Sequence, residues 1–138
     1  MFDSILVPVK LTKPAEAERA VKIASKLARE FDALLTLATI TPHWVTVKDA
    51  DYSWEARRWF ESRAAIGLDQ LKLLTGDARC RTLSRWGSVP GSILDMAEEV
   101  DADLIVLNAD KSKLTHFLHQ PDSGRLASRA SCSVFLIK

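Results

Sequence analysis

The stretches Ile5-Leu6-Val7-Pro8-Val9 and Asp103-Leu104-Ile105-Val106-Leu107 decide the fold of this 138-residue chain. Apart from Asp103, each is a short, continuous apolar run rather than an alternating one, which is typical of parallel strands buried on both faces. Pro8 has no backbone N–H and therefore limits pairing near the end of the first strand. Two such runs predict a parallel sheet with the first strand at its centre.

Three segments with helical periodicity lie between the predicted strands. The first extends from Pro14, which suits a first turn, to Phe31, and the second extends from Ser53 to Thr75 and stops before Gly76. Ser88 is a candidate cap for the third helix, and a last helix is predicted from Asp122 or Ser123 to Arg129. The positions predicted to face the core are Ala17, Val21, Ala24, Ala28 and Phe31, then Phe60, Ala64, Leu68, Leu71 and Leu74, then Ile93, Leu94, Ala97 and Val100.

Further strands are predicted at 34–40, 79–86 and 133–137. Because strands and helices alternate, the chain is predicted to be an α/β protein with an open, doubly wound, five-stranded parallel sheet and helices on both faces. We expect the strand order 3-2-1-4-5. A length of 138 residues suits one domain, 1–138.

Composition excludes several function classes. The 19 basic and 18 acidic residues nearly cancel, so the overall charge indicates neither a nucleic acid nor a membrane partner. Cys80 and Cys132 lack metal-ligand spacing and are expected to be reduced thiols. The sequence has no apolar run near the roughly 20 residues of a membrane span and no export signal, so a cytoplasmic protein is expected.

The ligand site of such a sheet lies outside the carboxyl ends of the strands, where the strand order reverses. This rule selects Lys10 after the first strand, Thr39 to Thr41 after the second and Asn108 onward after the fourth. The start of the last helix, near Asp122 and Ser123, could add N–H groups for an anion.

The chain resembles the universal stress protein family over nearly its whole length. Besides the first strand and helix, the resemblance rests on the turn at 87–94, the strand at 102–107 and the ending at 130–137, which is similar to the family's Ala-Pro-Cys-Pro-Val. It implies a Rossmann-like fold of the adenine nucleotide alpha hydrolase type, and a homodimer formed through the last strand. The residues of that strand are Ser133, Val134, Phe135, Leu136 and Ile137.

The family's ATP-binding residues are replaced at nearly every position of this sequence. Lys10 stands where the family has an aspartate, Asn108 and Lys111 stand where it has glycines, and Pro121-Asp122 falls near its final Gly-Ser pair. Side chains with a Cβ keep the backbone away from phosphates, and Asp122 opposes a bound phosphate by charge. The resemblance thus places the crevice at Pro8, Val9, Lys10, Thr39, Leu107, Asn108, Asp110, Lys111, Pro121, Asp122 and Ser123, with ATP binding weak or absent.

Two interpretations of this crevice stay open. Lys10, Lys111 and Lys113 could hold a different anionic ligand, or they are solvated and pair with Asp110 and Asp122. The corresponding functions are a non-enzymatic stress-response or regulatory protein that acts through protein association, and a sensor of a nucleotide or another anion. A weak nucleotide hydrolase is disfavoured, because no general base or metal carboxylate is evident there.

Other groupings of residues favour structural roles. His116 and His119 lack further ligands at metal-site spacing, and no nucleophile-elbow serine occurs. The arginines at 79, 81 and 85 are interpreted as protection of an edge strand rather than a nucleic-acid stripe. The aromatic residues Trp44, Tyr52, Trp54 and Trp59 are interpreted as core packing, with a lid over the crevice or a partner surface as alternatives.

Overall fold

The computed structural model describes residues 1–41, 53–108 and 132–137. Its five strands form one all-parallel sheet of order β3-β2-β1-β4-β5, which confirms the predicted topology. The strands are β1 (Ser4–Pro8), β2 (Leu34–Thr41), β3 (Arg81–Trp86), β4 (Leu104–Asn108) and β5 (Ser133–Ile137). The helices are α1 (Pro14–Phe31), α2 (Ser53–Thr75) and α3 (Val89–Glu99). The helix predicted from Asp122 or Ser123 falls outside the described residues.

Apolar cores lie on both faces of the sheet. Successive side chains of β1 point to opposite faces of the sheet. Ile5 therefore packs with α1 and α2, whereas Leu6 packs with Ile93 and Met96 of α3. Both β1 residues are fully buried, as the continuous apolar pattern predicts. The prediction of helices on both faces is therefore confirmed.

The inward faces of the helices are mostly as predicted, with several differences, of which Leu74 and Met96 are the clearest. Leu74 is predicted to face the core, but it is 43% exposed, because the buried side of α2 is defined by Leu68, Leu71 and Thr75 and Leu74 lies to one side of it. Met96 was not selected, yet it is fully buried between α3 and the sheet. Ser88 has the extended backbone of a helix cap, but among the described residues its hydroxyl makes no capping hydrogen bond.

The amino ends of β1 and β4 are held together by side chains. The carboxylate of Asp103 accepts hydrogen bonds from the backbone N–H groups of Asp3 and Ser4, at 2.8 and 3.1 Å. The Ser4 hydroxyl donates to the carbonyl of Val100 at 2.8 Å, and that contact is buried. Bonds that involve a charged acceptor are stronger than neutral ones, so this cluster sets the register of the two strands.

Ile105 offers a test of how much the central pairing contributes to stability. It lies on β4 opposite Leu6 and is fully buried, so Ile105→Ala should lower the free energy of unfolding by about 2 to 5 kcal/mol. Ile105→Val, which keeps most of the side chain, should cost about 0.5 to 1.5 kcal/mol. Urea denaturation of both variants measures this, and equal costs would contradict the close packing described.

Candidate functional site

A crevice begins between β1 and β4 because their pairing stops early. The register joins Ile5 to Leu104 and Leu6 to Ile105, and it ends there, two residues before Pro8. On the other side β1 pairs with β2 as far as Pro8, which lies opposite Ala38. The order of the strands reverses between β1 and β4, so the gap opens at the switch point of the sheet.

Pro8 helps to end the pairing of β1 with β4. The N–H of Asp103 donates to the carbonyl of Ser4, so Ser4 faces β4, whereas the N–H of Val9 donates to Ala38, in β2. Backbone groups of alternate residues face the same neighbour, so Pro8 faces β4 together with Ser4. A proline has no N–H to donate at that position. The expectation that Pro8 limits pairing is therefore confirmed on the β4 side.

The floor of the crevice joins the ends of β1 and β2. Val9 and Thr39 are both buried, and the Thr39 hydroxyl donates to the carbonyl of Val9 at 3.0 Å. This bond satisfies a backbone acceptor beyond the end of the strand, where the ladder no longer does so. The Thr39 hydroxyl therefore stabilises the framework of the site.

Asn108, the last residue of β4, is tied to the first turn of α1. Its side-chain amide donates to the carbonyl of Glu16 at 2.7 Å. Glu16 was not among the predicted site residues, and no residue type could have indicated it, because the acceptor is a backbone oxygen that every residue carries. The contact spans 92 positions in sequence and fixes α1 against the end of β4.

Lys10 is exposed in the turn that joins β1 to α1. The turn is closed by the N–H of Lys13, which donates to the carbonyl of Lys10 at 3.1 Å, and the Lys13 ammonium lies 4.0 Å from the Glu16 carboxylate. Leu107 is half-buried and packs against the core on the α3 side. The remaining predicted residues of the crevice, Asp110, Lys111, Pro121, Asp122 and Ser123, lie outside the described residues, as do Lys113, His116 and His119.

Among the residues that the structure describes, the titratable groups with shifted pKa values lie at the other end of the sheet. The backbone N–H of Arg79, followed by its side chain, lowers the pKa of Asp77, and burial raises the pKa of the Cys80 and Cys132 thiols. These residues precede β3 and β5, so they lie at the amino ends of the strands, opposite the crevice. Both cysteines are free thiols.

Residues 1–41, 53–108 and 132–137 contain no group of three or more His, Cys, Asp or Glu side chains that could hold a metal ion. Within the same ranges no helix is long and apolar enough to cross a membrane.

The aromatic and basic residues outside the crevice require two corrections. Core packing is wrong for Trp54 and Trp59, which are 67% and 54% exposed; Trp44 and Tyr52 lie outside the described residues. Arg79 precedes β3 instead of belonging to it, and it bridges Asp77 and Asp32 across a turn. The interpretation of β3 as a basic edge strand is confirmed by its position at the end of the sheet.

The open parallel sheet and the crevice at its switch point define a Rossmann-like α/β protein, the class in which ligands bind at this position. Residues 1–138 match the model of the universal stress protein family. The chain therefore belongs to the universal stress protein family.

Individual relatives agree with this assignment. The chain is 23% identical over 143 residues to universal stress protein G of Salmonella typhimurium, with full coverage of both. The structure of the universal stress protein UspA from Lactobacillus plantarum superposes with a TM-score of 0.70 at 22% identity, covering 99% of this chain and 97% of that one. A universal stress protein in complex with cAMP superposes with a TM-score of 0.67 at 19% identity, covering 99% and 96%.

The bond between Asn108 and Glu16 can be tested through stability. Asn108→Ala removes the donor, so the free energy of unfolding should fall by about 0.5 to 1.5 kcal/mol. Glu16→Ala keeps the backbone acceptor and removes only the exposed pair with Lys13, so it should stay within about 0.5 kcal/mol of the parent. Urea denaturation compares the two, and a larger loss in Glu16→Ala would refute the assigned role of Asn108.

Proposed function

We propose that this universal stress protein is a cytoplasmic, non-enzymatic regulator that acts through protein association and binds ATP weakly or not at all. The observation that carries the proposal is that two polar side chains at the crevice, those of Thr39 and Asn108, hold the framework together. Thr39 donates to Val9, and Asn108 donates to Glu16 in α1. A nucleotide would have to compete with these bonds or use other groups.

The absence of catalysis is supported by the chemistry of the described residues. General acid–base catalysis needs a titratable group near the substrate with a pKa suited to proton transfer. Among the described residues, the groups with shifted pKa values lie at the amino ends of the strands, opposite the crevice. The free thiols of Cys80 and Cys132 support a reducing compartment such as the cytoplasm.

Weak ATP binding is supported by the residues that replace the family's motif. Lys10 stands in place of an aspartate, and Asn108 and Lys111 stand in place of glycines that let a backbone approach phosphates. Asn108 also ends β4 with a side chain already held by α1. Freeing that amide would cost a hydrogen bond before any ligand contact formed.

A second candidate function is a sensor for a smaller anionic ligand. Lys10 is exposed beside the crevice, and a related protein is known in complex with cAMP, which carries a single phosphate charge. A cation at the end of β1 favours such a group and does not need the glycine loop. The proposed ligand is thus a nucleotide monophosphate or a similar anion held by side chains.

Thermal-shift titration with ATP, AMP and cyclic AMP, each with and without Mg²⁺, separates these functions. If the protein is a regulator that does not bind ATP, ATP should not stabilise it. A ligand that binds, present at 100 times its dissociation constant, raises the free energy of unfolding by about 2.7 kcal/mol. Stabilisation by AMP or cyclic AMP that is lost in Lys10→Ala would establish the sensor, with Lys22→Ala on α1 as the control. Strong stabilisation by ATP would refute weak ATP binding.

A homodimer through β5 forms part of the proposal. β5 is an edge of the described sheet, and its Val134, Phe135 and Leu136 side chains are exposed. The opposite edge, β3, carries Arg81 and Arg85 instead, and Arg85 is paired with Glu99. Charge on an edge discourages pairing with another chain, whereas an apolar edge invites it. The contrast between the two edges therefore supports association at β5.

Light scattering on Phe135→Asp tests this interface. Phe135 is 43% exposed, so the charge should disturb an interface rather than the core, and the variant should be monomeric at concentrations where the parent is a dimer. Leu74→Asp, at a residue of equal exposure on α2, is the matched control and should leave the mass unchanged. An unchanged mass in Phe135→Asp would remove β5 from the interface.

A further inference from the structure

Helix α2 carries a half-buried glycine, Gly67, well inside its 23 residues. Gly67 follows the buried Ala64 by three residues and precedes the buried Leu71 by four. Residues at these intervals are neighbours on a helix surface, so Gly67 borders the face of α2 that packs on the core. Glycine destabilises a helix interior relative to alanine. The space that a Cβ would fill is therefore expected to be used by another residue.

The residue that uses this space is Leu11, in the turn between β1 and α1. A Cβ on Gly67 would lie 3.0 Å from both Cδ carbons of Leu11 and 3.4 Å from its Cγ. Carbon atoms in favourable contact are about 3.5 to 4.0 Å apart, so a larger residue at this position would have to displace the leucine. Leu11 also packs against the core on the α1 and α2 side. The turn is therefore attached to α2.

Leu11 directly follows Lys10, the exposed lysine at the crevice. The N–H of Lys13 donates to the carbonyl of Lys10 and closes the turn, so Leu11 occupies the first of its two central positions. An anchor on Leu11 is thus one peptide bond away from the residue that would contact an anion.

The residue before Lys10 is anchored on the other side. The N–H of Val9 donates to the carbonyl of Ala38 at 2.7 Å, and the carbonyl of Val9 accepts from the Thr39 hydroxyl at 3.0 Å. Both backbone groups of Val9 are therefore held by β2. The backbone of Lys10 lies between two fixed neighbours, one held by the sheet and one by α2.

We propose that Gly67 and Leu11 are positioning residues for Lys10, so that α2 sets the place of this cation at the crevice. The inference rests on the proposed anion site, in which Lys10 is the binding residue. A binding side chain whose base is already held in place loses less conformational freedom when a ligand arrives. Leu11 and Gly67 act through Lys10 and need no contact with the ligand.

The turn depends on Leu11 because its neighbours are solvent-exposed. Lys10 and Thr12 are exposed, whereas Leu11 is half-buried against the core. Without the Leu11 side chain, the hydrogen bond between Lys13 and Lys10 is left to close the turn. A single backbone hydrogen bond contributes little net stability against the conformational entropy of several residues. The turn is therefore expected to become mobile when Leu11 is truncated.

Backbone ¹⁵N relaxation of residues 10–13 tests the positioning without a ligand. The order parameters should be about 0.85 in the parent and fall below about 0.6 in Leu11→Ala. Leu27→Ala is the matched control, since Leu27 is a half-buried leucine packed against the same core, near the far end of α1. Leu11→Met keeps the volume and should keep the turn rigid. Equal order parameters in Leu11→Ala and Leu27→Ala would overturn the proposal.

Gly67→Ala tests the α2 side of the contact. In the Leu11→Ala chain the space is empty, so alanine should raise the melting temperature through its better helix propensity. In the parent the new Cβ presses on Leu11, so the rise should be smaller by at least about 2 °C. Residues that do not touch have additive effects. An identical change in both chains, followed by circular dichroism, would therefore refute the contact.

Calorimetric titration with AMP and cyclic AMP connects the turn to the ligand. Binding to the parent that is lost in Lys10→Ala identifies the proposed site. A turn that is in place in about one molecule in ten raises the apparent Kd tenfold, so Leu11→Ala should weaken binding by about that factor. Leu27→Ala and Leu11→Met should keep the parent's Kd. An unchanged Kd in Leu11→Ala would overturn the positioning role. A parent that binds neither nucleotide would contradict the sensor, and the relaxation measurement would still decide whether α2 holds the turn.

Discussion

The pairing of β1 with β4 is the constraint on which the rest of this structure depends. It joins segments about 100 residues apart, and it is held at one end by the Asp103 carboxylate and the Ser4 hydroxyl. At the other end it stops at Leu6, before Pro8. A pair of strands that is tied at the amino end and free at the carboxyl end necessarily leaves a gap at the switch point. The crevice of this universal stress protein is thus a consequence of backbone hydrogen bonding.

Most of the described polar groups around that gap have a structural role. Thr39 joins β2 to the end of β1, and Asn108 joins β4 to the first turn of α1. The first contact satisfies a backbone carbonyl just beyond the end of β1, where the ladder no longer provides a donor, and the second adds a side-chain donor to a carbonyl in the first turn of α1. The exposed cation among the described crevice residues is Lys10. These structural roles favour a scaffold that associates with partners. The Lys10 side chain is left to bind a small anion.

The surfaces of the protein differ in how readily they can associate with another chain. β3 ends the sheet with arginines, one of them held by Glu99, whereas β5 ends it with exposed apolar side chains. The outward face of α2 also carries exposed apolar side chains, those of Trp59, Ile66 and Leu73. Charge protects an edge from unwanted pairing, while exposed apolar residues are retained where contact is useful. The proposed association therefore concerns β5 and not β3.

The sequence by itself determined the topology, the bounds of α1 and β5 and the loss of pairing near Pro8. These depend on local periodicity, proline chemistry and continuous apolar runs, all of which are written in neighbouring residues. Tertiary structure alone decided that Leu74 and Trp59 are exposed, that Met96 is buried, and that Asn108 holds α1 through a backbone oxygen. The reason is physical: an apolar side chain is buried only if another element covers it, and a backbone acceptor has no residue-specific signal.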